Sequence, residues 1–288
     1  MIRLTNITRT PVFPEAPGRI GVFDSGYGGL TILNGIRRHL PEYDYLYLGD
    51  NARAPYGSRS FDLVYRFTFE AVKTLFRHGC HLVILACNTA SAKALRTIQQ
   101  NDLPRIDAHR RVLGVIRPTV EEITCSPSTS HVGILATPGT VQSRSYSLEI
   151  EKLDPGINVS EVACPLWVPL IENNEAHSPG ADYFVKKYID ILLDRDPEID
   201  TIILGCTHYP ILMDKIRQYT PEGIRIIAQG DLVGRSLADY LTRHPEMERL
   251  CSKGGSVEFL TTENEEKFNA LAELFLHHPI SSSHIEIL

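Results

Sequence analysis

The chain lacks the marks of several large functional classes. Among 288 residues, 29 Lys and Arg face 35 Asp and Glu, giving a formal net charge of −6 with no run of basic residues. A polyanion needs a concentrated basic face, so a nucleic-acid partner is not expected. No apolar stretch approaches the roughly 20 residues of a membrane-spanning helix, so no membrane partner is expected either. Met1 to Gly18 carry Arg3 and Arg9, but also three prolines and no continuous apolar core. That pattern is unlike a secretory leader and reads as a loose extension before the first strand. The six cysteines (Cys80, Cys87, Cys125, Cys164, Cys206 and Cys251) form no C-x-x-C pair and no metal-ligand spacing. Free thiols in a reducing cytoplasm, with no metal, are therefore expected. The cluster Gly26–Gly29 is neither a Walker loop nor a complete dinucleotide fingerprint. Adjacent His277 and His278 read as a solvated turn before Pro279.

What is present is an ordinary globular balance, 43% hydrophobic and 22% charged, at a length that suits two modest α/β domains or one large one. Apolar runs alternate with helical patterns, as in parallel sheets covered by helices. The runs predict strands at Ile20–Phe23, Tyr45–Leu48, Leu82–Ala86, Val112–Val115, Val132–Leu135, Thr201–Leu204 and Ile224–Ile227. The periodicity predicts helices at Phe61–Arg77, Ser91–Gln100, Ala181–Leu193, Leu232–Leu241 and Asn264–Phe275.

Two stretches repeat one device. Leu82-Val83-Ile84-Leu85-Ala86-Cys87-Asn88-Thr89-Ala90 and Thr201-Ile202-Ile203-Leu204-Gly205-Cys206-Thr207-His208-Tyr209-Pro210 each run an apolar strand into a small residue, a cysteine and a polar residue, with a helical pattern following. Such a cysteine sits at the carboxyl edge of a sheet beside a helix N-terminus, where open α/β sheets bind ligands and where negative charge is favoured. Further upstream, Ile20-Gly21-Val22-Phe23-Asp24-Ser25-Gly26 can be laid over Val132-Gly133-Ile134-Leu135-Ala136-Thr137-Pro138. Two copies of one unit would face their cysteines toward each other across a pseudo-two-fold.

Opposed thiols suit one kind of chemistry. Inverting a carbon that bears hydrogen requires a base on one face and an acid on the other, and a thiol near its free pKa of about 8.5 converts cheaply between those roles. Asp24 and His208 stand close in sequence to these turns and are candidates to manage a proton. Ser25, Asn88, Thr89 and Thr207 are candidates to hold the carboxylates of a small acidic substrate. Singly, each has a duller explanation. A buried cysteine is usually inert packing, which is the expectation for Cys80, Cys125, Cys164 and Cys251. Asp24 alone would be a helix cap and His208 a structural hydrogen-bonding residue.

Together, Val22-Phe23-Asp24-Ser25-Gly26-Tyr27-Gly28-Gly29-Leu30, Leu48-Gly49-Asp50 with Pro55-Tyr56-Gly57, Ala86-Cys87-Asn88-Thr89-Ala90 and Gly205-Cys206-Thr207-His208-Tyr209-Pro210 resemble the bacterial glutamate racemase family, in the family's order, over roughly Ile20 to Phe275. The resemblance implies a cofactor-independent isomerase that supplies D-glutamate for peptidoglycan. It implies two similar α/β domains with mostly parallel sheets and the active site in the cleft between them, the C-terminal segment returning to the first domain. The division expected is 1–110 plus 232–288 against 111–231. Carried onto this chain, Cys87 takes the α-proton from the D-enantiomer and Cys206 from the L-enantiomer, assisted by Asp24 and His208. Asp24, Ser25, Tyr56, Gly57, Asn88, Thr89, Thr137, Thr207 and His208 would bind substrate, and a homodimer is implied. Within the same fold, an aspartate racemase or a related amino-acid racemase, or a non-catalytic regulatory member, stands as the alternative. The chain departs from relatives at Arg117, where many carry an acidic residue; Glu121 or Glu122 is its expected partner. Cys125–Ser130 reads as a surface loop.

Overall fold

The computed structural model describes residues 16–287, so most of the expected N-terminal extension lies outside the described residues. Ten strands are formed: β1 (Ile20–Asp24), β2 (Tyr45–Gly49), β3 (Leu82–Leu85), β4 (Arg111–Gly114), β5 (His131–Ala136), β6 (Asn158–Ala163), β7 (Thr201–Gly205), β8 (Arg225–Ile227), β9 (Val257–Thr261) and β10 (Ser282–His284). They make two sheets, ordered β10-β9-β2-β1-β3-β4 and β6-β5-β7-β8. Every pairing between these ten strands of the described residues is parallel. All seven expected strands are present to within one residue at each end. Strands β1, β2 and β7 are buried at every position, which is why they read as unbroken apolar runs.

The strands that sequence did not announce are more polar. β6 and β10 are sheet edges, half-solvated, and β9 carries Glu258 at an exposed position. Water on one side permits polar residues there and erases the apolar signal.

The duplication is visible in the strand order. Reading across the sheets, β2-β1-β3-β4 matches β6-β5-β7-β8, so β1 corresponds to β5 and β3 to β7. The expected division at residue 110 falls one strand early, because β4 pairs with β3 from Leu82–Arg111 to Leu85–Gly114. The chain crosses to the second sheet at Val115, after which Ile116, Val120 and Ile123 pack with Val132, Ile134 and Ile203. It crosses back before the helix Gly230–Arg243, which packs along the helix Gly29–His39. A Cβ on Gly35 would lie 2.2 Å from the backbone of Gly230, so only glycine permits this approach.

The helix Phe61–Arg77 forms as expected, with Ser60 accepting from the Leu63 amide at its start. The helix expected at Ser91–Gln100 instead begins at Asn88, breaks at Ala94 and passes through a π-helical turn, Ile98–Asp102. The segment after Cys206 also differs, being a 3-10 turn, Tyr209–Leu212, before the helix Met213–Tyr219. The C-terminal helix Glu265–Leu276 returns to the first sheet, where Phe268 stacks on Tyr27 at 5.5 Å. Burying rings such as Phe268, Tyr47 and Trp167 stabilises the fold by about 1.5–3 kcal/mol each. Among the described residues, no helix is long and apolar enough to cross a membrane.

Candidate active site

Strand ends place the polar groups. β1 ends in Asp24 and hands on to Ser25, while its counterpart β5 ends in Ala136 and hands on to Thr137. β3 leads through Ala86 to Cys87, and β7 leads directly to Cys206. All four carboxyl ends lie where the strand order changes direction, the general location of ligand sites in open parallel sheets.

Cys87 caps the helix Asn88–Lys93. Its Sγ accepts from the Ala90 amide at 3.4 Å and is hydrogen-bonded to Ser25 Oγ at 3.2 Å. Burial, with smaller contributions from Asp24 and Cys206, pushes the Cys87 thiol up to about 12, against the opposing pull of Ser25 and the Ala90 amide. Cys206 from the second sheet is therefore near enough to act on the charge of Cys87, and both thiols are buried.

Asp24 is fully enclosed. Its Oδ2 accepts from the Gly26 amide at 2.9 Å. Burial raises its pKa, while His208 and the amides of Gly26 and Gly29 oppose that rise. On the facing side, His208 Nδ1 lies 3.9 Å from Cys206 Sγ and Nε2 lies 3.0 Å from Glu172 Oε1. Burial alone would strip the imidazole of its proton, but the hydrogen bonds to Cys206 and Glu172 prevail and lift its pKa to about 10. His208 is a cation at neutral pH. The edge of Phe275 closes on its ring at 5.4 Å.

Gly28 makes the cleft possible. A Cβ there would lie 2.3 Å from both His208 Nδ1 and Thr207 Oγ1, so only a glycine loop admits the second-domain turn this closely. The Thr31 hydroxyl adds a bond to the Thr207 carbonyl at 3.0 Å. On the other rim, Thr89 Oγ1 meets Thr137 Oγ1 at 2.9 Å, and the Gly139 amide donates to the Gly57 carbonyl at 2.7 Å.

The structure thus brings Asp24, Ser25, Cys87, Asn88, Thr89, Gly57, Thr137, Cys206, Thr207 and His208 to the junction of the two sheets. Tyr56 borders it differently, because its hydroxyl donates to Asp50 Oδ2, which also accepts from Arg53 Nε at 2.7 Å. Its phenol is therefore committed inside the first domain. Glu172 is the residue that sequence reasoning missed. It closes the helix Trp167–Glu172, has no motif around it, and reaches His208 only through the fold.

The other cysteines sort cleanly. Cys80, Cys164 and Cys251 are buried, whereas Cys125, expected as packing, is exposed. The Cys125–Ser130 segment is a largely exposed loop, and His277–His278 form the expected exposed turn. Arg117 pairs with Glu121 at 2.7 Å and with Glu149 at 3.4 Å, while Glu122 pairs with Arg235 instead. Among the described residues, His131, Asp196 and Glu198 are the set with metal-ligand spacing. They lie at the start of β5, the edge opposite the thiols, and His131 Nδ1 pairs with Asp196 at 2.8 Å.

Comparison with known proteins agrees with this geometry. Residues 30–233 match the family described as Asp/Glu/Hydantoin racemase. The glutamate racemase of Ruegeria sp. (strain TM1040) is 41% identical over 272 residues, covering 91% of this chain and 98% of the relative. A glutamate racemase isoform from Bacillus anthracis superposes with a TM-score of 0.85 at 32% identity, over 94% of this chain and 98% of its own. The glutamate racemase of Francisella tularensis, solved in complex with D-glutamate, gives a TM-score of 0.83 at 31% identity over 96% and 99% of the two chains. With residues 30–233 matched, and relatives aligned over nine-tenths of its length, the chain belongs to the Asp/Glu/Hydantoin racemase family.

Proposed function

We propose that the protein interconverts L- and D-glutamate with two thiols as the only proton carriers at carbon, and that it thereby supplies D-glutamate for peptidoglycan. The observation that carries this reading is the pair of cysteines at equivalent strand ends, β3 and β7, near enough for one to act on the charge of the other. A thiolate on one side takes the α-hydrogen as a proton. The S–H bond forms, the C–H bond breaks, and its electron pair stays on a carbon conjugated with the α-carboxylate. The opposite thiol then delivers its proton to the other face of that carbon, leaving a thiolate behind. In this scheme Cys87 serves the D-enantiomer and Cys206 the L-enantiomer.

The weak acidity of the α-hydrogen is the obstacle. Oriented N–H and O–H donors from Ser25, Asn88, Thr89 and Thr207 supply stabilisation on the carboxylates, in a site from which water is excluded. Gly57 and Thr137 close the rim, and the backbone about Tyr56 shapes it. The raised pKa of Cys87 fits substrate-triggered ionisation. Its largest cause is burial, and the α-ammonium of bound glutamate would offset that penalty. Asp24 and His208 stand on the two sides and assist the thiol nearest each. No pyridoxal phosphate or metal takes part. A homodimer in the reducing cytoplasm, where thiols stay free, completes the proposal.

The test uses purified protein with no added cofactor in deuterated buffer. L-glutamate and D-glutamate should each lose optical rotation to the racemic value, with deuterium entering the α-position. Faster turnover of aspartate than of glutamate would move the assignment to a sister racemase. An unchanged α-hydrogen with well-folded protein would leave a non-catalytic, regulatory role.

A further inference from the structure

Behind the thiols lies a ring of three buried side chains in which each donates to the next. The Tyr146 hydroxyl donates to Asn88 Oδ1 at 2.6 Å, Asn88 Nδ2 donates to Gln229 Oε1 at 2.6 Å, and Gln229 Nε2 donates back to the Tyr146 oxygen at 2.7 Å. Tyr146 is wholly buried, and Asn88 and Gln229 are each 2% exposed. The members come from separate parts of the chain. Asn88 follows Cys87 on the first sheet, Tyr146 belongs to the helix Ser145–Leu153 of the second, and Gln229 lies on the crossover returning from the second sheet to the first.

The direction of the ring is fixed from outside it. The Thr119 hydroxyl donates to the Val115 carbonyl at 2.8 Å, so toward Gln229 its oxygen can only accept. Gln229 Nε2 donates to that oxygen at 2.9 Å and reaches the Val115 carbonyl at 3.4 Å. A flipped Gln229 amide would set Oε1 against a carbonyl and an occupied hydroxyl, which burial does not tolerate. Gln229 therefore must turn Oε1 to Asn88, and Asn88 must turn Nδ2 to Gln229 and Oδ1 to Tyr146. Val115 is itself the other crossover. One side-chain amide thus joins both crossovers and sets the orientation of the residue beside Cys87. Asn88 keeps its second amide hydrogen, a donor matched to a carboxylate oxygen.

We propose that Gln229 is a positioning residue, which through the Asn88–Tyr146–Gln229 ring holds Asn88 as a fixed hydrogen-bond donor to a substrate carboxylate. This rests on the glutamate reading of the cleft.

Tyr146→Phe removes one hydroxyl and little volume, and Gln229→Met removes the amide at similar length. Each should raise KM for both enantiomers about tenfold, more than it lowers kcat, and weaken D-glutamate binding by calorimetry by the same factor. In an Asn88→Ala background, Tyr146→Phe should add no further loss of kcat/KM, because the ring acts through Asn88. The proposal is overturned if either variant melts earlier yet keeps wild-type KM and D-glutamate affinity. It is equally overturned if Tyr146→Phe costs as much without the Asn88 amide as with it. Wild-type protein that binds D-glutamate but does not racemise it would defeat the functional reading alone, and the calorimetric comparison would still decide the ring.

Discussion

Cys87 and Cys206 end equivalent strands of equivalent sheets, yet their neighbours differ in kind, a buried carboxyl group beside one and an imidazole beside the other. Cys87 shares its corner with the Asp24 carboxyl group, is hydrogen-bonded to the Ser25 hydroxyl and accepts from a helix amide. Cys206 precedes a 3-10 turn with no α-helix to cap, and its neighbour is the His208 cation held by Glu172. A symmetric pair of thiols would bind a proton equally and would have no preferred resting state. Here burial first, then Asp24, favours the protonated form of Cys87. Duplication supplied the geometry, and divergence of the flanking residues supplied the asymmetry. A two-base reaction uses one sulfur as thiol and the other as thiolate in each turnover, and unlike neighbours bias which sulfur holds the proton.

The sharpest way to break this comparison is to remove one sulfur at a time. Cys87→Ser and Cys206→Ser should each reduce racemisation in both directions by about 10²–10⁴-fold, because every turnover uses both groups. Near-native rates in either variant would end the paired-base mechanism. Gly28→Ala removes no reacting group. Its new methyl must displace His208 and Thr207, moving the Cys206 side against the Cys87 side. A shift near 1 Å should lower kcat/KM about 10²-fold. Full activity in this variant would show that the two turns need not touch for catalysis.

The same contrast explains what sequence could and could not disclose. Strand-Cys turns at Cys87 and Cys206 were legible because buried parallel strands leave continuous apolar runs that end abruptly at polar residues. Asp24 and Ser25 were legible at the end of the first strand and Thr137 through the family resemblance, while the overlay of β1 on β5 matches the strand order. The position of β4 was misjudged because Val112–Val115 looks alike in either sheet; only its pairing with β3 assigns it. Glu172 and Gln229 were invisible for a different reason. Glu172 reaches His208 from a helix end 36 residues away, and Gln229 reaches Asn88, Tyr146, Thr119 and Val115 from a crossover 83 to 141 residues away, and local pattern carries no trace of such contacts.

A milder probe removes charge and leaves the sulfurs intact. Asp24→Asn takes away the second-largest cause of the raised Cys87 pKa and leaves the first, burial, untouched. Alkylation of Cys87 by iodoacetamide at fixed pH should therefore accelerate only several-fold, with labelling of Cys206 unchanged. Peptide mass spectrometry separates the two sites. Equal acceleration at both thiols would mean that Asp24 does not distinguish them.

The smallest effect lies in the pH dependence of stability. His208 keeps its proton in the fold to about 10, whereas the ordinary histidine value is 6.5. Because the folded value is raised, the stabilisation is complete below pH 6.5 and disappears as pH rises from there through 10. Buried acids such as Cys87 and Cys80, both raised to about 12, add their own loss only above the free thiol value near 8.5. Between pH 6.5 and 8.5 the histidines contribute to the slope, with a ceiling of about 1.4 kcal/mol per pH unit for one proton, and buried Asp24, raised from 3.8, is common to both proteins compared. His131 also titrates upward, beside Asp196, but it sits at the far edge of the second sheet and is common to both proteins compared. Glu172→Gln removes the anion that His208 Nε2 faces and should flatten the slope in that window, leaving Cys206 as the remaining partner. Urea denaturation at pH 6.5, 7.5 and 8.5 measures the difference directly. Parallel curves for wild type and Glu172→Gln would place the histidine proton elsewhere, and the charge contrast between the two thiols would have to be carried by Asp24 alone.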